Sequence, residues 1–284
     1  MKIGFIGAGR VGCTMGKYLV MNGAEVTGNW SRTLEHAKEA AEFTDTTYYE
    51  AVNDLIDNSD AVILTVSDDA IRKVFEWICE VADMKEKIVC HTSGATSSGV
   101  FDDAPYQVYG YSIHPVYACS DRFNSYKTFS NAFITIEGHE KYLGSVREVF
   151  DNAGLTTGVI DDPGSKIRYH AAAVIASNLV CGMYEAAAEL LESCGFDRTQ
   201  AETALNGLFL DNATGIVNKG VIAQLTGQLD RGDAGTIRAH LDSFTEEESK
   251  VYIEASKYVL EIAKRKNEDR DYSEIESLLK GESL

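Results

Sequence analysis

Residues 1–12, MKIGFIGAGRVG, place Gly7, Gly9 and Gly12 in a G-x-G-x-x-G run directly behind the short apolar run Ile3 to Ile6. A strand that stops at Gly7, turns tightly and enters a helix near Gly9 aims unpaired backbone N–H groups and a positive helix end at one point. That arrangement suits a dinucleotide pyrophosphate. Gly7 makes the turn, Gly9 lets a phosphate approach the backbone, and Gly12 lets the helix sit close on its strand. Arg10 and Val11 fall inside the same loop, and the amphipathic segment Val11 to Asn22 supplies the helix.

The second predicted strand, Ala24 to Trp30, decides which dinucleotide is expected. NAD binders usually carry Asp or Glu at its end, about 20 residues past the glycines, to hold the ribose 2′-hydroxyl. Here the strand ends in Asn29, Trp30, Ser31, Arg32 and Thr33, with no carboxylate. A guanidinium beside two hydroxyls suits a 2′-phosphate through charge-assisted bonds. The cofactor read from these residues is NADP(H), with Arg32 as the main clamp, Ser31 and Thr33 as helpers and Arg10 as a second cation. The competing reading has Ser31 or Thr33 capping the helix Leu34 to Glu42. Val66 and Ser67, at the end of a strand predicted over Ala61 to Val66, and Thr92, behind one predicted over Lys87 to His91, are the remaining cofactor contacts expected.

The rest of the first half alternates strand and helix, which predicts an α/β fold: a Rossmann-type, mostly parallel sheet with helices on both faces. Strands are expected over Gln107 to Ile113, Ala132 to Ile136 and Thr156 to Ile160, and helices over Ile71 to Val81 and Glu140 to Ala153. From Pro163 the pattern turns all-helical, over Lys166 to Cys194, Arg198 to Lys219 and Glu246 to Lys266. The predicted organisation is a nucleotide-binding domain, 1–162, and a helical substrate and dimerisation domain, 163–284, with the charged tail after Asn267 as a loosely docked helix. At 284 residues there is length for both.

A formal net charge of −18 and a pI near 4.7 make nucleic acid and anionic membranes poor partners. No apolar stretch reads as approaching the ~20 residues of a membrane span, so a cytoplasmic protein is expected. The six cysteines are scattered without a C-x-x-C, which points to small apolar fillers and to no metal site.

Three groups carry the candidate chemistry. His91 with Ser93, and His114 before Pro115, close predicted strands, where a reductase needs a proton donor and donors to a developing oxyanion; a buried ring at His91 and a turn histidine at His114 are the structural alternatives. On the first long helix, Lys166, His170, Ser177 and Cys181 fall within a sector of about 60°, with Asn178 at its margin. Polar groups so aligned would be costly against an apolar core, which favours a wet cleft or a cofactor over a solvated face. Lys166 could bind a carboxylate or donate a proton, and His170 and Asn178 could bond a carbonyl. In the third group Asp233 reads first as the N-cap of the helix that follows, and Arg231 as a cation for an acidic substrate.

Taken together, Gly7 to Gly12, His91 with Ser93 and Gly94, His114 and Pro115, Tyr169 and His170 with Ser177 and Asn178, and Leu225, Thr226 and Gly227 with Arg231 and Asp233 resemble one family. It is the Rossmann-like NADP oxidoreductases whose C-terminal helical domain was long of unknown function, similar to 6-phosphogluconate, prephenate and pyrroline-carboxylate dehydrogenases. The likeness spans nearly the whole chain. It departs at Gln228, where the family usually has Pro, and at Tyr117 and Ala118, where a Gln-containing segment is commoner. Some members are assigned as an alternative ketopantoate reductase of pantothenate biosynthesis. The resemblance implies an NADPH-dependent reductase of a small 2-oxo acid, with Lys166, His170, Asn178, His114 and Ser93 as catalytic residues and Ser177, Arg231 and Asp233 contacting substrate. It also implies a homodimer through the helical domain. The alternatives are reduction of another hydroxy acid or a cyclic imine, and an NADPH sensor that turns over nothing.

Overall fold

The computed structural model describes residues 1–281. By contacts the chain divides into two compact units, Met1–Ser177 and the residues from Asn178 on. The turn read at 161–164 is present, with Asp162 accepting from the Gly164 N–H at 2.9 Å, and the helix behind it belongs with the first unit.

The first unit is an eight-stranded sheet of β1 (Ile3–Ile6), β2 (Val26–Trp30), β3 (Thr47–Tyr48), β4 (Ala61–Leu64), β5 (Ile88–His91), β6 (Tyr109–Val116), β7 (Phe133–Gly138) and β8 (Thr156–Val159), in the order β3-β2-β1-β4-β5-β6-β7-β8. All neighbours are parallel except β6 and β7, so the sheet is mostly parallel as expected. Its helices are α1 (Arg10–Met21), α2 (Leu34–Thr44), α3 (Val52–Asp57), α4 (Asp68–Val81), α5 (Leu143–Asn152) and α6 (Lys166–Ala176). Strand neighbours point to opposite faces, so Phe5 and Ile63 enter one apolar cluster with Tyr111 and Ile134, while Ile6 and Val62 enter a second with Leu55 and Phe75. The parallel run β1-β4-β5-β6 brings the loops after β1, β4 and β5, and the last residues of β6, to one edge of the sheet. The two-residue β3 and the six-residue α3 are too short to show a period in the sequence. His114 lies within β6 rather than beyond its end, paired with Thr135 of β7.

The second unit holds α7 (Asn178–Ser193), α8 (Arg198–Gln224), α9 (Gln228–Arg231), α10 (Ala234–Ser243), α11 (Glu246–Lys266) and α12 (Ser273–Lys280). Its core joins Leu229, Ile237, Leu260, Tyr272, Ile275 and Leu279, so the tail after Asn267 is docked firmly by α12. Two expectations need correction. The segment read as one helix over Lys166 to Cys194 breaks at Ser177, whose φ of −127° and ψ of −79° are not helical, and its hydroxyl donates to the Ala173 carbonyl at 2.7 Å. Residues 163–193 are, by length and composition, long and apolar enough to cross a membrane, contrary to the expectation that no such stretch occurs.

Candidate cofactor and active site

The glycine loop is built as its spacing requires. Gly7 has a φ of +115°, and a Cβ there would lie 2.6 Å from the Thr65 carbonyl oxygen; a Cβ at Gly12 would lie 2.5 Å from the Gly7 oxygen. The Thr65 hydroxyl donates to the Gly7 carbonyl at 2.7 Å and ties the loop to the end of β4. Gly9 differs, since a Cβ there would meet nothing within 4 Å. It caps α1 with no side-chain bond and no acidic residue in the first turn. Arg10, Val11 and Gly12 open that helix, so their amides have no intrahelical acceptor and are the groups an anion would meet there.

Beside this loop is a cavity of about 690 Å³ lined by Gly7, Ser31, Arg32, Thr33, Val66 and Ser67, all expected cofactor contacts. Thr33 occupies the N-cap position of α2 without a side-chain cap bond, so the capping alternative finds no support. No carboxylate lines the cavity, whereas Arg32 is joined by His36 of α2 and Lys73 of α4. Trp30 and Trp77 stand on its wall with ring centroids 5.0 Å apart. His36, Lys73 and the two indoles escaped the sequence reading. Arg10, Val11, Gly12 and Thr92 are not among this cavity's walls; the first three open α1 and Thr92 follows β5.

Further along the same edge, the side chains at β5, β6 and α6 meet. The His91 ring is fully buried, its Nδ1 accepting from the Ser93 N–H at 3.2 Å and its Nε2 bonded to the Ser97 carbonyl at 3.2 Å. Burial, above all, drops its pKa to about 4, so it is a neutral brace for the loop. Ser93, expected as a catalytic donor, is buried with its hydroxyl oxygen accepting from the N–H groups of Ala95 and Thr96, a local turn.

His114 is placed differently. Its Nδ1 lies 2.7 Å from the Tyr169 hydroxyl, which in turn accepts from the Thr135 hydroxyl at 2.8 Å. Burial first, then the Lys166 and His170 charges, lowers the His114 pKa to about 4. A Cβ on Gly94 would lie 2.9 Å from His114 Nε2 and 2.7 Å from His170 Cδ2, so only glycine leaves room for the two rings. Lys166, one helical turn before Tyr169 and His170, is 1% exposed, and its Nζ has no hydrogen-bond partner among the described residues. That amine lies 5.7 Å from the Tyr169 ring centre. Desolvation lowers its pKa, against the opposing pull of Glu137 and Asp68. Glu137 is itself buried, and its carboxylate accepts from the Ser98 N–H and hydroxyl at 2.8 and 2.5 Å.

Comparison with known proteins gives this geometry a context. Residues 2–93 match the family described as NADP oxidoreductase, coenzyme F420-dependent, and residues 132–259 match a domain of unknown function, DUF2520. Each match covers less than half of the chain. No curated protein matches the chain. Among solved structures it is similar to protein TM1727 from Thermotoga maritima, at 23% identity and a TM-score of 0.73, covering 93% of this chain and 98% of that one. It is also similar to a 1-pyrroline-5-carboxylate reductase from Streptococcus pyogenes, at 20% identity and a TM-score of 0.61, covering 93% and 98%. A third is a reductive aminase from Aspergillus terreus in complex with NADPH and ethyl-5-oxohexanoate, at 17% identity and a TM-score of 0.58, covering 99% and 92%. At these identities the likeness is one of fold.

The NADP-oxidoreductase match takes in the glycine loop and the Arg32 cavity, while the DUF2520 match begins at β7 and takes in Thr135, Glu137, Lys166, Tyr169 and His170. Of the remaining expected residues, Ser177 ends the first unit and Asn178 opens α7. Arg231 closes α9. Asp233 caps α10, accepting from the Thr236 N–H at 3.0 Å and hydroxyl at 2.7 Å, which is the structural role read for it first.

Proposed function

We propose that the chain is an NADPH-dependent reductase of a small 2-oxo acid, with 2-dehydropantoate as the first substrate to test. The observation that supports this most is the buried Lys166 amine without a partner. Such a group costs on the order of 1–3 kcal/mol unless a ligand satisfies it, so its retention beside His114 marks a place for an acceptor oxygen. Arg10 and the α1 amides would hold the pyrophosphate, and Arg32, Ser31, Thr33, His36 and Lys73 the 2′-phosphate. When bound, NADPH supplies the hydride that the carbonyl carbon gains. Lys166, whose proton burial has loosened, gives that proton to the carbonyl oxygen and regains one from solvent. His114 and His170 orient the same oxygen, while Ser93 shapes the loop. Ser177, Asn178 and Arg231 are retained as substrate contacts on the strength of the sequence alone.

A carbonyl fits these donors better than an imine does. Reduction of C=N passes through a cationic iminium, which needs an anion beside it. Lys166 brings a like charge, and the Glu137 carboxylate is occupied by Ser98. A panel of 2-oxo acids, including ketopantoate, and cyclic imines, including pyrroline-5-carboxylate, followed by NADPH consumption, tests the reading. Turnover should appear with an oxo acid and fall at least tenfold in Lys166→Ala, with NADPH affinity by fluorescence within a few-fold. Turnover with imines alone would overturn the substrate class. NADPH binding without turnover would favour the sensor.

A second copy of the chain is the proposed partner of the helical unit. Leu179, Met183, Leu208, Leu210, Val217 and Ile222 of α7 and α8 are all at least 40% exposed, more apolar surface than a soluble monomer usually leaves bare. Asp211, Asn212, Asn218 and Lys219 are interleaved on α8 and Glu185, Glu189 and Glu192 on α7, which suits a protein partner and not lipid. Closed homo-oligomers are the commonest cover for such a face. A cytoplasmic location accords with NADPH chemistry and with buried thiols such as Cys13 and Cys90.

A further inference from the structure

We propose that Tyr169 and Thr135 form a positioning relay that fixes His114 with its proton on Nε2, making that N–H the group that polarises the substrate's carbonyl oxygen. The inference rests on the reductase reading for its substrate, but the tautomer itself is a property of the unliganded protein.

The hydrogens of Thr135 and Tyr169 decide the tautomer of His114. Thr135 faces His114 across β6 and β7, and Tyr169 arrives from α6 to bridge them. The Thr135 hydroxyl donates to the phenolic oxygen at 2.8 Å, a pair whose geometry assigns Thr135 as the donor, with the His114 carbonyl a longer contact at 3.2 Å. Tyr169 then has its own hydrogen to place, and His114 Nδ1 at 2.7 Å accepts it. The opposite tautomer would point an Nδ1 hydrogen at a phenolic oxygen already receiving one, and would leave the phenol's own hydrogen without that acceptor. Nδ1 is therefore the bare nitrogen, and the ring proton sits on Nε2.

Nε2 has no protein acceptor among the described residues, and it faces the space that Gly94 leaves by lacking a side chain. Burial and the neighbouring Lys166 and His170 charges keep the ring from taking a second proton near neutrality. A neutral imidazole N–H can stabilise a developing oxyanion without giving up its proton. Polarisation thus falls to His114 and protonation to Lys166, so the two groups do not compete for one role. Tyr169 and Thr135 act through His114 and need not touch the substrate.

Nitrogen-15 NMR of histidine-labelled protein without substrate reads the tautomer, with the His114 signals assigned by their loss in His114→Gln. The wild type should show a pyrrole-like Nε2 and a pyridine-like Nδ1. Tyr169→Phe should shift this toward a mixture and lower kcat about tenfold, the order expected for one orienting hydrogen bond, with KM and NADPH affinity within twofold. Thr135→Val, a near-isosteric change, should move both readouts in the same direction by less, and it serves if Tyr169→Phe fails to fold. A pyridine-like Nε2 in the wild type, or an unchanged tautomer in both variants, would overturn the relay. Should no carbonyl compound be reduced while the tautomer is as expected, the reductase reading falls and the assignment of His114 stands.

Discussion

The sheet of the first unit finishes its own core, and the long helices α7 and α8 of the helical unit do not. In the first, each buried strand sends alternate residues into two large apolar clusters, and side chains such as Phe5, Ile6, Leu64 and Tyr111 lose all contact with water. In the second, α9 to α12 share a small core, but α7 and α8 bury only Ala188, Ala201 and Gly215, while Leu208, Leu210 and Val217 stand 65–84% exposed. Each such side chain forgoes roughly 1.5–3 kcal/mol of burial. The sheet of the first unit thus closes its own core, whereas α7 and α8, like Ile167 and Ile175 of α6, leave large apolar side chains bare. Catalytic proposals attached to the first unit can be tested one residue at a time, whereas the proposed pairing of the second predicts behaviour that changes with protein concentration.

The sharpest way to break this contrast is to make the bare face polar. Val217, 84% exposed, can accept Asp at little cost to its own unit. Paired with Leu210→Asp, it should convert a dimer of the 31.1 kDa chain to monomer in light scattering, with the far-UV spectrum retained. A wild-type mass already that of one chain, or no change in the double variant, would show that α7 and α8 need no cover.

Within the first unit, two glycines of one motif should fail in different ways. Gly7→Val sets a Cβ against the backbone of β4 in a left-handed conformation, and should destabilise the whole first unit by several kcal/mol. In Gly9→Val the added Cβ meets nothing within 4 Å. The variant should leave thermal unfolding near that of the wild type and weaken NADPH binding by more than a hundredfold. Retained binding in Gly9→Val would move the pyrophosphate elsewhere.

Legibility in the sequence followed the same division. The glycine loop is local, strand, turn and helix within a dozen residues, so its role could be read without knowing the fold. Arg32 with Ser31 and Thr33 followed from one absent carboxylate. Lys73 and Trp77 reach the same cavity from α4, some forty residues later, and no local pattern announces such a meeting. Ser93 illustrates a different difficulty: a hydroxyl at a strand end suits an oxyanion, but it suits two neighbouring amides as well, and those are nearer. The break at Ser177 was hidden because the apolar period runs through it unchanged. The Thr135 to Tyr169 to His114 chain depends on the antiparallel pairing of β6 with β7, inside a half that otherwise reads as parallel.

The smallest expected effect concerns cofactor choice, and it asks whether the two halves are independent. Arg32 and Lys73 are cations on a wall without carboxylates, and a bond from guanidinium to phosphate is worth about 1.5–3 kcal/mol. Arg32→Ala should therefore weaken NADPH by at least tenfold and leave NADH, which has no 2′-phosphate, nearly unchanged. Lys73→Ala should show the same preference more weakly, because a flexible ammonium makes a single point contact where guanidinium can make two bonds. Both variants should keep the oligomeric mass of the wild type, since neither residue lies in the helical unit. Isothermal titration of the two cofactors, with light scattering on the same samples, checks each statement. Equal losses for NADPH and NADH would end the assignment of the 2′-phosphate to this cavity, and a change of mass would mean that the nucleotide half takes part in the association ascribed to α7 and α8.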